Sequence, residues 1–297
     1  MSAPQLFDRK LLLQRRQRAA RQGAMPDFLL RRAAGDMAER LEAVQRDFTH
    51  VLALGAHAKG LADVLSVSCR NAELFVAMDG SAPSADGSAL QVRGDEELVP
   101  FRDGAFDLIV SALSLQFVND LPGTLIQIRR ALKPDGLFLA SVLGGATLAE
   151  LREAFTEAET ELEGGVSPRV APMADIRDYG GLLQRAGLAL PVADSDLVTV
   201  TYASPLALMH DLRAMGATNV LTERRRTPLR RRTLLHAMEI YFERFAEPGG
   251  RIRATFEIIH LLGWAPHDSQ QKPLKPGSAA ARLADALGVP EHQLKRS

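Results

Sequence analysis

Apolar positions change their period several times along the 297-residue chain, and each change marks an element. Leu6, Phe7, Leu11, Leu12 and Leu13 follow helical spacing, which predicts a helix docked on the body with its arginines on the wet face. Pro26 suits the first position of a second helix, with Phe28, Leu29, Ala33, Met37, Leu41 and Val44 as its apolar stripe. The period then becomes strand-like. Thr49 to Leu54 reads as a buried strand, Gly55 to Gly60 as a glycine-containing turn, and Leu61 to Val67 as a short helix. Glu73 to Met78 forms a second strand, stopped by Asp79-Gly80-Ser81. A polar stretch over Gly80 to Ser88 precedes a third strand, Leu90 to Val92. Phe106 to Leu113 is a fourth. Leu121 to Leu132 is a helix stopped by Lys133-Pro134-Asp135-Gly136, Leu137 to Leu143 a fifth strand, and Leu148 to Leu162 a helix.

The last third reads differently. Asp178 to Ala186 is helical, Leu197 to Tyr202 alternates like a strand, Leu206 to Met215 and Pro228 to Phe245 are helices, and Arg251 to Leu262 is a final strand. Thr227 fits an N-cap for the helix at Pro228. Continuous apolar strands alternating with helices predict an α/β, Rossmann-like, seven-stranded and mostly parallel sheet covered on both faces. The organisation expected is one domain: N-terminal helices over 1–45, a core over 46–145, and a part over 146–264 with a helical insertion at 204–248. A polar tail over 265–297 wraps the surface.

Composition narrows the function classes. Thirty-six basic side chains balance 36 acidic ones, so no global charge argues for nucleic acid. The single cysteine, Cys69, excludes a disulfide framework and any CxxC motif. No run reaches the length of a membrane span. The eight basic residues from Met1 to Arg32 would be a transit-like pattern were it not for the apolar docking positions; a balanced charge points to the cytoplasm. The arginines of Glu223 to Arg232 form a patch suited to a solvated helix face or a protein partner. His260 and His267 lack the spacing of a metal site, so no metal is expected. Oligomeric state is left open.

In an open parallel sheet the ligand sits at the carboxyl ends of the strands. The first turn, Gly55-Ala56-His57-Ala58-Lys59-Gly60, allows a tight bend at Gly55, and Asp79 ends the second strand where a carboxylate can meet ribose hydroxyls. Gly94-Asp95-Glu96-Glu97-Leu98-Val99-Pro100-Phe101, Phe106-Asp107-Leu108-Ile109 and Leu132-Lys133-Pro134-Asp135-Gly136 then follow in order. Together they resemble the class I S-adenosylmethionine-dependent methyltransferases. The resemblance implies S-adenosyl-L-methionine held by Gly55, Ala56 and His57, with Asp79 and Gly80 at the ribose, Asp95 and Glu96 at the adenine, and Ser111 and Leu113 at the methionine end. Ala53 stands where that family carries an acidic residue, and His57 and Lys59 where it carries glycines.

Blocks outside this core narrow the likeness: Phe7-Asp8-Arg9, Phe28-Leu29-Leu30-Arg31-Arg32, Gly164-Gly165-Val166-Ser167-Pro168-Arg169, Asp211-Leu212-Arg213-Ala214-Met215-Gly216 and Gly263-Trp264. They resemble, in a bacterial form, the methyltransferase-like assembly factors of respiratory complex I, whose mitochondrial members hydroxylate a subunit arginine. The resemblance implies a protein substrate, such as a complex I subunit. Gln116 is the candidate to orient a substrate amide or guanidinium, and Ser167, Arg169 and Arg177 are candidates for peptide contact beside Asp178. Tyr202 and Asp211 are further candidates. Two other readings stand: an O-methyltransferase of the malonyl-carrier-protein type, and a non-catalytic assembly chaperone.

Overall fold

The computed structural model describes residues 5–23, 26–44, 46–80 and 89–271. The chain divides into one unit over Met1–Pro266 and a second over His267–Ser297. Of the second, residues 267–271 are described, and they form a turn in which the Gln270 N–H donates to the His267 carbonyl. Most of the expected tail, and the stretch from Ser81 to Ser88, lie outside the described residues.

The first unit is built on a seven-stranded sheet in the order β3-β2-β1-β4-β5-β7-β6. Its strands are β1 (His50–Leu54), β2 (Leu74–Asp79), β3 (Leu90–Arg93), β4 (Phe106–Ala112), β5 (Leu132–Leu143), β6 (Ala189–Tyr202) and β7 (Ile252–Trp264). β1 to β5 pair in parallel, while β7 runs antiparallel to both β5 and β6. The helices are α1 (Arg9–Arg21), α2 (Phe28–Ala43), α3 (Ala58–Leu65), α4 (Leu121–Ala131), α5 (Ala149–Glu163), α6 (Ile176–Arg185), α7 (Pro205–Ala214) and α8 (Arg231–Phe245). Strand order reverses between β1 and β4, which puts the ligand crevice over their carboxyl ends.

The central strands are apolar because both faces are covered. All seven residues of β4 are buried. One layer packs α2 and α3 on Val51, Ala53, Leu108 and Val110. The other packs α4 and α6 on Leu52, Leu54, Ile109 and Phe138. Ala53 is completely buried in the first layer. The helical insertion between β6 and β7 comprises α7 and α8, and α8 lies along α5.

Several boundaries differ from the sequence reading. Pro26 precedes the helix, whose N-cap is Asp27. Lys133 to Gly136 fall within a register irregularity at the start of β5, where Asp135 adopts a φ of 62° in place of a separate turn. β6 begins at Ala189, ahead of the expected Leu197, because Pro191 and a register irregularity between Ala189 and Val192 break the alternation that marks a strand. Thr227 caps no helix: it sits in a bend where Arg225 donates to its hydroxyl, Arg230 is extended at the N-cap position, and α8 starts at Arg231. The arginine patch is divided, since Arg224 pairs with Asp8 and Arg225 with Glu163, while Arg226, Arg230, Arg231 and Arg232 are exposed.

Candidate functional site

The turn after β1 begins at Gly55, whose φ of +108° is open to glycine alone at little cost. A Cβ at Gly55 would lie 2.5 Å from Ser114 Cβ, so the bend and the end of β4 are in contact. The Ala56 N–H donates to Ser114 Oγ at 3.2 Å, and that hydroxyl donates to Glu96 Oε1 at 2.6 Å. Glu96 is buried. Burial pushes its carboxyl upward, but Arg9, the Ser114 hydroxyl and Arg16 outweigh that effect and hold it below the usual range.

α1 covers this turn. The expectation that its arginines face solvent is corrected for three of them: Arg15 donates to Thr218 Oγ1 at 2.8 Å and to the Asn219 carbonyl, and Arg9 and Arg16 turn toward the groove. Arg9, Leu12, Arg16 and Ala19 share one side of the helix at spacings of three and four residues, and Leu12 and Ala19 on that side are buried. Arg9 donates to Asp95 at 2.6 Å and pairs with Glu96. Asp95 also accepts from the Glu97 N–H at 2.9 Å. Arg16 lies over Phe117, its Cζ 5.4 Å from the ring centroid. The spacing was the signal that could have revealed both residues; the count of arginines alone concealed it.

Three neighbouring spaces share wall residues in succession, the first of them beneath α1. A groove of about 660 Å³ is walled by Arg9, Leu13, Arg16, Ala56, His57, Gly80, Asp95 and Glu96. A throat of about 70 Å³ shares Arg16, His57 and Met215 with the groove and adds Leu113 and Gln116. A chamber of about 260 Å³ shares Phe117, Leu143 and Met215 with the throat, and its other walls include Leu148, Met173, Met209, Leu212 and Phe256. The groove has the size of an ordinary small-molecule site.

In the throat, Gln116 is buried and its Oε1 has no partner among the described residues. Leu113 turns there with a φ of 49°, a strained conformation for a branched side chain at the end of a strand. His57 precedes α3. Burial, reinforced by Arg16, pushes its imidazole down to about 4, so it is neutral at physiological pH. Arg16 is itself held down to about 10 by burial and by Arg9, against the pull of Glu96 and Asp79, and stays charged at neutral pH.

Of the remaining expected residues, Gly80 walls the groove and Arg169 borders the chamber, while the others line none of the three spaces. Asp79 closes β2 immediately before Gly80, and the Gly80 position lies against Leu13 of α1. Ser111 is sealed inside β4, where its hydroxyl has no partner among the described residues and borders none of the three spaces. Ser167 and Arg169 are both committed to Glu159, which is completely buried: the Ser167 hydroxyl donates at 2.8 Å and Arg169 Nε at 2.7 Å. Arg169 still borders the chamber. Arg177 and Asp178 are exposed on α6 and wall none of the spaces. Tyr202 and Asp211 neighbour each other away from them. Among the described residues no group of three His, Cys, Asp or Glu is arranged to hold a metal ion, and no helix is long and apolar enough to cross a membrane.

The methyltransferase domain family matches residues 52–140, the stretch from β1 into β5. Among solved structures, the YcgJ protein of Bacillus subtilis aligns with a TM-score of 0.54 at 14% identity, over 80% of this chain and 99% of that one, and shares the fold, which the domain match and the strand order identify as the class I methyltransferase type. A malonyl-[acyl-carrier protein] O-methyltransferase of Halorhodospira halophila is 32% identical over 82% of this chain and 83% of its own. The mouse protein named arginine-hydroxylase NDUFAF5, mitochondrial, is 38% identical over 98% of this chain and 87% of its own. With the likeness running through α1, the core and the insertion, the chain belongs to the NDUFAF5 arginine-hydroxylase family, on a methyltransferase fold.

Proposed function

We propose that the protein binds S-adenosyl-L-methionine and modifies an arginine side chain of a partner protein, a respiratory complex I subunit, during assembly. The observation that carries the reading is the end-to-end likeness to relatives named arginine-hydroxylase. The groove supports the cofactor: it has room for a small molecule, and Ala56, His57, Gly80, Asp95 and Glu96 wall it together. Gly55, Ala56 and His57 would hold the cofactor at the turn, Asp79 and Gly80 at the ribose, Asp95 and Glu96 at the adenine, and Leu113 at the methionine end. Bound, it supplies an electrophilic methyl group on a sulfonium.

The chain's own residues do the rest. The Gln116 amide oxygen accepts an N–H from the incoming guanidinium, which gives this buried acceptor the partner it lacks. His57 stays uncharged and adds no repulsion to that cation. The apolar chamber excludes water around the oriented group. The work is done in the cytoplasm, in keeping with the balanced charge.

Calorimetric titration with S-adenosylmethionine and S-adenosylhomocysteine, repeated on Asp79→Ala, tests the cofactor. Micromolar binding, about −8 kcal/mol, that the variant loses supports it. Mass spectrometry of complex I subunit peptides after incubation tests the chemistry, since the product gains either one oxygen or one methylene. An unchanged peptide with no cofactor binding favours the chaperone reading. The apolar chamber and the carrier-protein relative favour one rival, an O-methyltransferase acting on an acyl carrier. Methylation of a malonyl carrier protein, with the peptide untouched, would select it.

A further inference from the structure

Arg16 is a charged group without an assigned task. Among the described residues it donates no hydrogen bond and joins no ion pair, and its contact is with the Phe117 ring. It is partly buried where groove and throat meet. A guanidinium carries five donors, and leaving them unmet away from water is costly. Glu96 and Asp79 attract it through charge without meeting its donors in a hydrogen bond, and the other neighbouring charges are accounted for. Arg9 is taken up by Asp95 and Glu96, His57 is neutral, and Lys10 and Arg21 are exposed along the groove.

Beneath Arg16 the turn has lost much of its capacity to hold an anion. His57 and Lys59 replace the glycines that would let backbone come close, and the Ala56 N–H already points at Ser114. We propose that Arg16 is the receptor for the α-carboxylate of the cofactor's methionine end, delivered from α1 in place of turn donors. This rests on the S-adenosylmethionine reading above and deepens it. The groove then discriminates between adenosyl ligands that carry an amino-acid tail and those that do not.

The test is calorimetric titration of the full chain with S-adenosylhomocysteine and with 5′-methylthioadenosine, which keeps the adenosine and thioether but lacks the carboxylate. The wild type binds the first more tightly. Arg16→Gln weakens it at least about ten-fold, the loss expected for one charge-assisted hydrogen bond, and leaves methylthioadenosine unchanged. Arg16→Lys recovers part of the difference. Ligand-free Arg16→Gln melts at or above the wild-type temperature, because an unmet guanidinium has gone. Equal weakening of both ligands would mean that Arg16 only props up α1, and overturns the proposal. So does a wild type that binds both equally, a result that needs no variant to fold. A wild type that binds neither overturns the cofactor reading itself, and this inference with it.

Discussion

Ser114 donates to Glu96 across 2.6 Å while accepting the Ala56 N–H, so one hydroxyl ties the end of β4 to the first turn and to the loop after β3. Glu96 is in turn gripped by Arg9 from α1. The cover of the groove and its floor thus meet at a single buried carboxylate, and removing either donor should be felt in both.

Arg9→Ala removes the cation that holds Glu96 ionised. A buried carboxylate losing its charged partner costs about 1–3 kcal/mol, and α1 loses its tie to Asp95. Urea denaturation should show that loss, and hydrogen exchange over residues 9–21 should quicken. Unchanged exchange in α1 would mean that Leu12 and Ala19 alone hold the helix.

Gly55→Ala should be among the most damaging single changes. The φ of +108° disfavours any Cβ, and this one would lie 2.5 Å from Ser114. Strain of about 1–3 kcal/mol is expected from the backbone alone, with the Ser114 contact added to it. A melting temperature within error of the wild type would show that the turn relaxes freely.

The parallel sheet was legible because β1, β4 and β5 are buried on both faces and therefore read as unbroken apolar runs. β6 was legible only in its second half, Leu197 to Tyr202, where alternation with threonines is regular. Of the candidate groove, the bend at Gly55 and the wall residues Asp95 and Glu96 were legible because their signals are local. The rest was hidden where partners lie far apart in sequence. Nothing around Ser167 and Arg169 announces that a carboxylate eight to ten residues earlier, Glu159, claims them both. Arg9 and Arg16 escape a sequence reading because arginine on an amphipathic helix is ordinarily solvated; only their share of the Leu12 side betrays them.

Stability should fall with acid in two stages. His57 and His260 are held neutral by burial, so their folded values lie below the ordinary 6.5. Below that pH the unfolded chain takes up protons that the fold refuses, and stability declines from about pH 6.5 toward 4. Glu96 and Asp107 have lowered values, so their contribution is present above the ordinary carboxylate range and is lost as pH falls further, through their folded values. Denaturation at a series of pH values should show a drop of about 1–3 kcal/mol over the first stage, after allowance for the partial exposure of His57. His57→Gln should flatten that stage. A profile level down to about pH 5 would count against the buried neutral state of both imidazoles.

Gln116→Leu separates catalysis from folding. The amide oxygen is buried without a partner in the ligand-free protein, so replacing it by an apolar group of similar size should leave stability unchanged or raise it by about 1 kcal/mol. If that oxygen orients the substrate, the same change should lower kcat/KM on an arginine-bearing peptide by about ten- to a hundred-fold, the equivalent of one well-placed hydrogen bond. Affinity for S-adenosylhomocysteine should not move, because Gln116 walls the throat and not the groove. Full turnover in a protein that melts normally would remove Gln116 from the substrate site and leave orientation to backbone groups at the end of β4.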